Sequence, residues 1–263
     1  MYKRRHAASF LFEKQIVMKK IFALMAIMTA MMMVSCNPQN DDIDDEEEGQ
    51  EQEETQKLKI NIDGTFADWA ALDPSLYVKA LNDPNSPWPG VAEIRCCAEG
   101  DFVYYYIRFD QAALQDAFAA ATPSMHIRLC INVDNEFSSG YQSYFRQGYD
   151  FIVEGAIAEG GQFVAYDGTL HQRIDGAWKA ILDPGHSLVS GAGSGNEYEI
   201  ALIREIFNGA AGASTVPMQM GDVFQTGIRF YYDGWEEFSN MPNADQDSDG
   251  TGWGDLLQIE FLK

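Results

Sequence analysis

The sequence predicts an all-β chain: a single antiparallel β-sandwich, jelly-roll-like, with one or two short helices. Three observations lead there. From Lys57 onward, short alternating runs of apolar and polar residues recur between clusters of Gly, Pro, Asn and Asp, the pattern of a sheet with one dry face. Hydrophobic residues make up 46% of the chain and aromatics 13%, enough to fill a core between two sheets. No repeat and no long linker divides residues 57–263, so one folded domain is expected there.

The elements follow in order. Leu58-Lys-Ile-Asn-Ile alternates and stops at Asp63-Gly64, a turn signal. Val91 to Cys97 and the aromatic, β-branched run Asp101 to Phe109 read as central strands. Gln111 to Ala120 is Ala-rich and is followed by Pro123, so a helix is expected. In the next strand Met125, Ile127, Leu129, Ile131 and Val133 share one face. Tyr149 to Val153, Gln162 to Tyr166, Glu197 to Leu202, Phe224 to Tyr231 and Leu256 to Leu262 complete the expected strands, with a short helical turn over Arg204 to Phe207.

Before this domain come an address and a tether. Lys19-Lys20 precede an apolar run of 14 residues, Ile21 to Val34. A spanning helix needs roughly 20, so residues 1–36 read as a secretory signal. Ser35 before Cys36 resembles a lipoprotein signal, which implies that Cys36 is lipidated and anchors the mature chain to the membrane. Met18-Lys-Lys is the natural start of such a signal. Residues 37–56 hold ten acids, no base and one apolar residue, Ile43, so a disordered acidic tether is expected. Acids this soon after the cysteine resemble the export signal of Bacteroidetes surface lipoproteins, which implies the outer membrane and its cell-surface face.

The remaining 57–263 hold 12 bases and 29 acids, a surface that repels phosphate backbones, so no nucleic-acid partner is expected. Four cysteines without C-x-x-C exclude a zinc ribbon. Cys96 and Cys97 are neighbours on one strand and face opposite sides. Either one of them pairs with Cys130, or each is a buried free thiol.

Four segments carry a family resemblance. They are Ile62-Asp63-Gly64 with Asp68-Trp69; Asp134-Asn135 with Gly140-Tyr141; Tyr149-Asp150 with Glu154-Gly155; and Glu197-Tyr-Glu199-Ile-Ala. In that order they resemble the family-9 carbohydrate-binding module, with Asn132 where that pattern has an Asp. The resemblance implies a sandwich fold and a sugar ligand.

Of the five tryptophans, Trp69 in the opening motif is expected in the core. Trp88 between two prolines, Trp178 after Asp175-Gly176 and Trp235 after Asp233-Gly234 are the candidate platforms, because a flat ring suits the C–H face of a pyranose. Asp245, Asp247 and Asp249 run into Gly250 as D-x-D-x-D-G, which converges hard oxygens as Ca²⁺ requires. Asp255 is the candidate fourth ligand, since Leu256 stands at the twelfth position. The alternative is a solvated acidic loop. Asp134-Asn135 reads as a side-chain-capped turn, with a second ion or a contact of Asp134 with ligand as the alternatives.

Catalytic signals are weak. Gly191-Ala-Gly-Ser-Gly-Asn lacks the third Gly of a dinucleotide loop and reads as a surface loop, and G-x-S-x-G is absent. The expectation is a non-catalytic, lipid-anchored protein that holds polysaccharide or oligosaccharide beside a neighbouring glycan transporter. A structural or adhesive surface lipoprotein is the alternative, and a glycoside hydrolase or lyase is less favoured.

Overall fold

Alternation along the chain becomes two antiparallel sheets packed face to face. The computed structural model describes residues 57–83, 90–119, 124–181, 189–207, 220–232, 235–243 and 254–263. The five-stranded sheet has the order β1 (Val78–Leu81), β2 (Val91–Glu99), β3 (Phe102–Phe109), β10 (Glu197–Ile203) and β9 (Val189–Ser194). The eight-stranded sheet has the order β12 (Glu237–Met241), β11 (Val223–Tyr232), β4 (Ser124–Asn132), β5 (Phe151–Glu159), β7 (Thr169–Ile174) and β8 (Ala177–Ala180). In that sheet β13 (Leu257–Glu260) pairs with the first half of β11, and β6 (Gln162–Phe163) with the end of β5. The fold is an all-β sandwich, as expected.

The core lies between the sheets. Met125, Ile127, Leu129, Ile131 and Val133 face it as the alternation predicts, opposite Val103, Tyr105, Ile107 and Phe109 of β3. Tyr105 keeps its buried hydroxyl satisfied on Thr226 Oγ1 at 2.9 Å, a bond between the two sheets. Helix α2 (Gln111–Phe118) starts where Asp110 accepts the N–H groups of Ala112 and Ala113, and it buries Leu114 and Ala117.

Two expectations are corrected. Leu58 to Ile62 forms no strand. Its alternation is real, with Leu58 buried and Lys59 exposed, but side chains replace the ladder. Glu99 accepts the N–H groups of Lys57 and Leu58, and Asp68 that of Asn61. The Gly191 segment is strand β9 instead of a surface loop. Its glycines let aromatic rings lie on the sheet: a Cβ at Gly193 would sit 2.3 Å from Tyr198 and 2.7 Å from Phe163. The sequence reading also lacked β1, β7, β8, β12 and the five-residue helix α1 (Ala67–Ala71).

Cys96, Cys97 and Cys130 are free buried thiols. They lie in three different clusters, the core and the outer face of each sheet, so none can reach another.

Candidate functional site

Each sheet has an outer face, and the two are finished differently. On the five-stranded sheet, residues 58–77 lie over Cys97, Tyr104 and Tyr106. Glu199, fully buried, holds this cover down: it accepts the N–H groups of Asp63 (2.9 Å) and Gly64 (2.8 Å) and the indole N–H of Trp69 (3.1 Å). Two of the resembling segments, 130 positions apart, thus meet on one carboxylate. Burial raises its pKa, and the two backbone N–H groups oppose that. Trp69 is 1% exposed, as expected of a core residue. Glu93 on this face is fully engaged by Arg95 (2.8 Å) and Arg108 (3.0 Å).

The outer face of the eight-stranded sheet is only partly covered. The outward residues of β4 are His126, Arg128, Cys130 and Asn132, the polar half of the strand whose apolar half fills the core. Loop residues Tyr141, Phe145 and Tyr149, with Leu256, cover Cys130 and Ile152. Burial pushes the Cys130 thiol up to about 12. The covering loop closes tightly: a Cβ at Gly148 would lie 1.5 Å from Ser139 O. Asp134 accepts the N–H of Glu136 at 2.9 Å, and Asn135 has φ 58°, so this segment is the side-chain-capped turn. Asp150, 4% exposed, has its pKa raised to about 6 by burial and then by the charge of Asp134, against a bond from Val133 N–H.

Beyond the loop, a row of rings and guanidinium groups faces outward. Arg128 is paired with Glu154 directly across from it on β5, and Nη1 donates to the Tyr231 hydroxyl at 3.3 Å. The Arg128 guanidinium lies 4.6 Å from the Trp235 ring and 4.9 Å from that of Tyr231. Trp235 spans His126 as well, at 5.0 Å between ring centroids, and is 43% exposed. Its φ of 67° is rare for so large a side chain, a strained backbone at a hairpin closed by Tyr232 N–H on Glu236 O. Arg229 stands opposite Arg128 across the strands. This like-charge pair is tolerated because Glu237 grips Arg229 with two bonds of 3.0 and 2.8 Å.

The structure therefore brings two of the three candidate platforms to one face. Trp235 is the exposed one, at 43%. Trp178 is half-buried, stacked on Tyr149 at 5.8 Å and edge-on to Tyr141 at 5.7 Å, and Arg173 lies 5.5 Å from its ring. Trp88 lies outside the described residues. Of the polar members of the face, Glu154 stands in the sequence only within a resembling segment, and His126, Arg128, His171 and Arg173 carry no site signal of their own there. What marks them is their off-beat position in the alternating strands.

Asp245, Asp247, Asp249 and Cys36 also lie outside the described residues. The Asp255 carboxylate accepts Arg146 Nη1 and Gln147 Nε2, both at 3.1 Å, which ties it to the covering loop. Among the described residues no three Asp, Glu, His or Cys side chains converge as a metal site, and no helix is long and apolar enough to cross a membrane. A cleft of about 490 Å³ between β1 and β13, lined by Tyr77, Val78, Gln258 and Lys263, holds none of the described tryptophans. A scan against protein-family models finds no match to the chain, and neither does a search of the curated proteins.

Proposed function

We propose that the protein is a non-catalytic, lipid-anchored glycan-binding protein of the outer-membrane surface, with the open outer face of the eight-stranded sheet as its binding face. One observation carries this reading: the exposed Trp235 ring lies over Arg128 and His126, beside the paired carboxylate of Glu154. A sugar presents an apolar C–H face and a rim of hydroxyls. An aromatic plane takes the first, and charged donors and acceptors held in fixed geometry take the second.

Binding is favoured over hydrolysis for a physical reason. Glu154 and Glu237 are each engaged by a guanidinium, so neither carboxylate stands open to a scissile bond as one of a hydrolytic pair. The anchor reading rests on Ser35-Cys36 after the apolar run, and the calcium reading on Asp245, Asp247 and Asp249.

A glycan array probed with the soluble domain tests the function. Retention on at least one polysaccharide is expected, and a blank array would favour the structural or adhesive alternative. Mass spectrometry of the membrane-extracted protein tests the anchor, with a diacylated or triacylated N-terminal cysteine expected and a chain that still contains Ser35 as the contrary result.

A further inference from the structure

We propose that the Arg173 corner of this face is a subsite for the carboxylate of an acidic sugar unit, a uronate. The proposal rests on the glycan-binding reading and narrows its substrate class.

The argument starts from charge. The domain carries 29 acids against 12 bases, so a guanidinium without a carboxylate partner is unusual on its surface. Arg95, Arg108, Arg128, Arg146, Arg204 and Arg229 each form an ion pair. Arg173 forms none among the described residues. Its guanidinium lies 4.7 Å from the Tyr141 ring and 5.5 Å from Trp178, so it is held in place by rings instead of by an acid. A fork fixed in this way keeps its N–H pair free for a planar bidentate partner, which a carboxylate is. His171, two residues away on the same face of β7, adds a polar ring whose Nδ1 already faces Thr169 O at 3.1 Å.

The position suits a second subsite. Arg128 shares a rung with Glu154 and Thr169, and Arg173 lies four residues further along β7. Strand spacing and rise place the two guanidinium rows roughly 16 Å apart, so one oligosaccharide chain would touch Trp235 and Arg173 at different units. The acidic domain as a whole repels polyanions, so uronate binding has to come from local geometry and not from general charge attraction.

Affinity electrophoresis tests this with polygalacturonate, its carboxyl-reduced neutral counterpart and dextran sulfate, on wild type and R173Q. Arg173 donates no side-chain hydrogen bond to a described residue, so R173Q loses only its two ring contacts and is expected to melt within a few degrees of wild type. Wild type should be retarded by polygalacturonate, and R173Q should lose at least roughly tenfold of that affinity, as for one charge-assisted bidentate contact. Any binding to the reduced polymer should fall by less than binding to polygalacturonate, which alone presents the carboxylate, and an equal loss on both polymers would overturn the subsite. Equal retardation of both proteins by polygalacturonate would overturn the subsite while leaving the glycan reading intact. So would dextran sulfate binding as tight as polygalacturonate, which would mean undirected anion attraction. No retardation by polygalacturonate would overturn the subsite whatever the array finds. A blank array would then remove the glycan reading as well.

Discussion

The two outer faces of the sandwich are built from the same materials and put to different ends. Both carry tyrosines, arginines and glutamates on alternate strand positions. On the five-stranded sheet, residues 58–77 lie over those groups and a buried glutamate fastens the cover. On the eight-stranded sheet the loop through Tyr141 and Tyr149 covers one end only, leaving Trp235 exposed and Arg173 without a carboxylate partner among the described residues. The contrast teaches that polar pairing alone does not mark a site. Glu93 with Arg95 and Arg108 is as well paired as Glu154 with Arg128, but it lies 5% exposed in the half of the molecule that is sealed. Access decides between the faces.

The largest effect is expected where the seal is fastened. Glu199→Ala leaves the buried indole N–H of Trp69 and the part-buried N–H groups of Asp63 and Gly64 without their acceptor and should cost about 2–4 kcal/mol, with Trp69 fluorescence shifting to the red before the global transition. If urea melts show a loss under about 1 kcal/mol, the cover is held by its apolar contacts and not by the carboxylate.

Asp150, at the covered end of the other face, should make stability fall with pH. Its folded-state pKa of about 6 lies above the unfolded value, so the native state holds the proton longer. That contribution is fully present below about pH 4, is lost as pH rises through about 6, and amounts to on the order of 3 kcal/mol. Asp150→Asn keeps an acceptor for Val133 and removes the titration. Urea melts at pH 4.5 and 7.5 should show the variant gaining on wild type at the higher pH. A constant difference between the two would place Asp150 in a wetter setting.

A smaller effect is expected of calcium. If Asp245, Asp247 and Asp249 share an ion, a hundredfold excess over Kd stabilises the fold by about 2.7 kcal/mol and raises the melting temperature by several degrees. Asp247→Asn should lose most of that response. Equal melting in calcium and in EDTA would leave a solvated acidic loop.

Much of this comparison could be read from the sequence, for reasons that differ by element. Met125 to Val133 and Asp101 to Phe109 were legible because a buried apolar residue recurs at every second place. Strand β9 was not, because two ring stacks require glycine there and glycine mimics a loop. Strands β7 and β8 were missed because their outward residues are His171, Arg173 and Trp178, and a polar run with one aromatic reads as a turn. Leu58 to Ile62 was read as a strand because burial alternates in any extended segment packed on a surface, with or without a ladder. Trp178 and Trp235 stood out as aromatics near Gly turns. Their partners did not, because the pairing of Arg128 with Glu154, 26 positions apart, depends on the register of β4 against β5.

The central claim is that the uncovered face binds glycan through Trp235. Its most direct test is affinity electrophoresis of wild type and Trp235→Ala side by side, in a polysaccharide that retains the wild-type domain. Because the ring is 43% exposed, its removal should cost no more than about 1 kcal/mol of stability, so the variant stays folded. The account predicts that the wild type is retarded and that Trp235→Ala migrates as it does in a gel without glycan. Undiminished retardation of Trp235→Ala would contradict it.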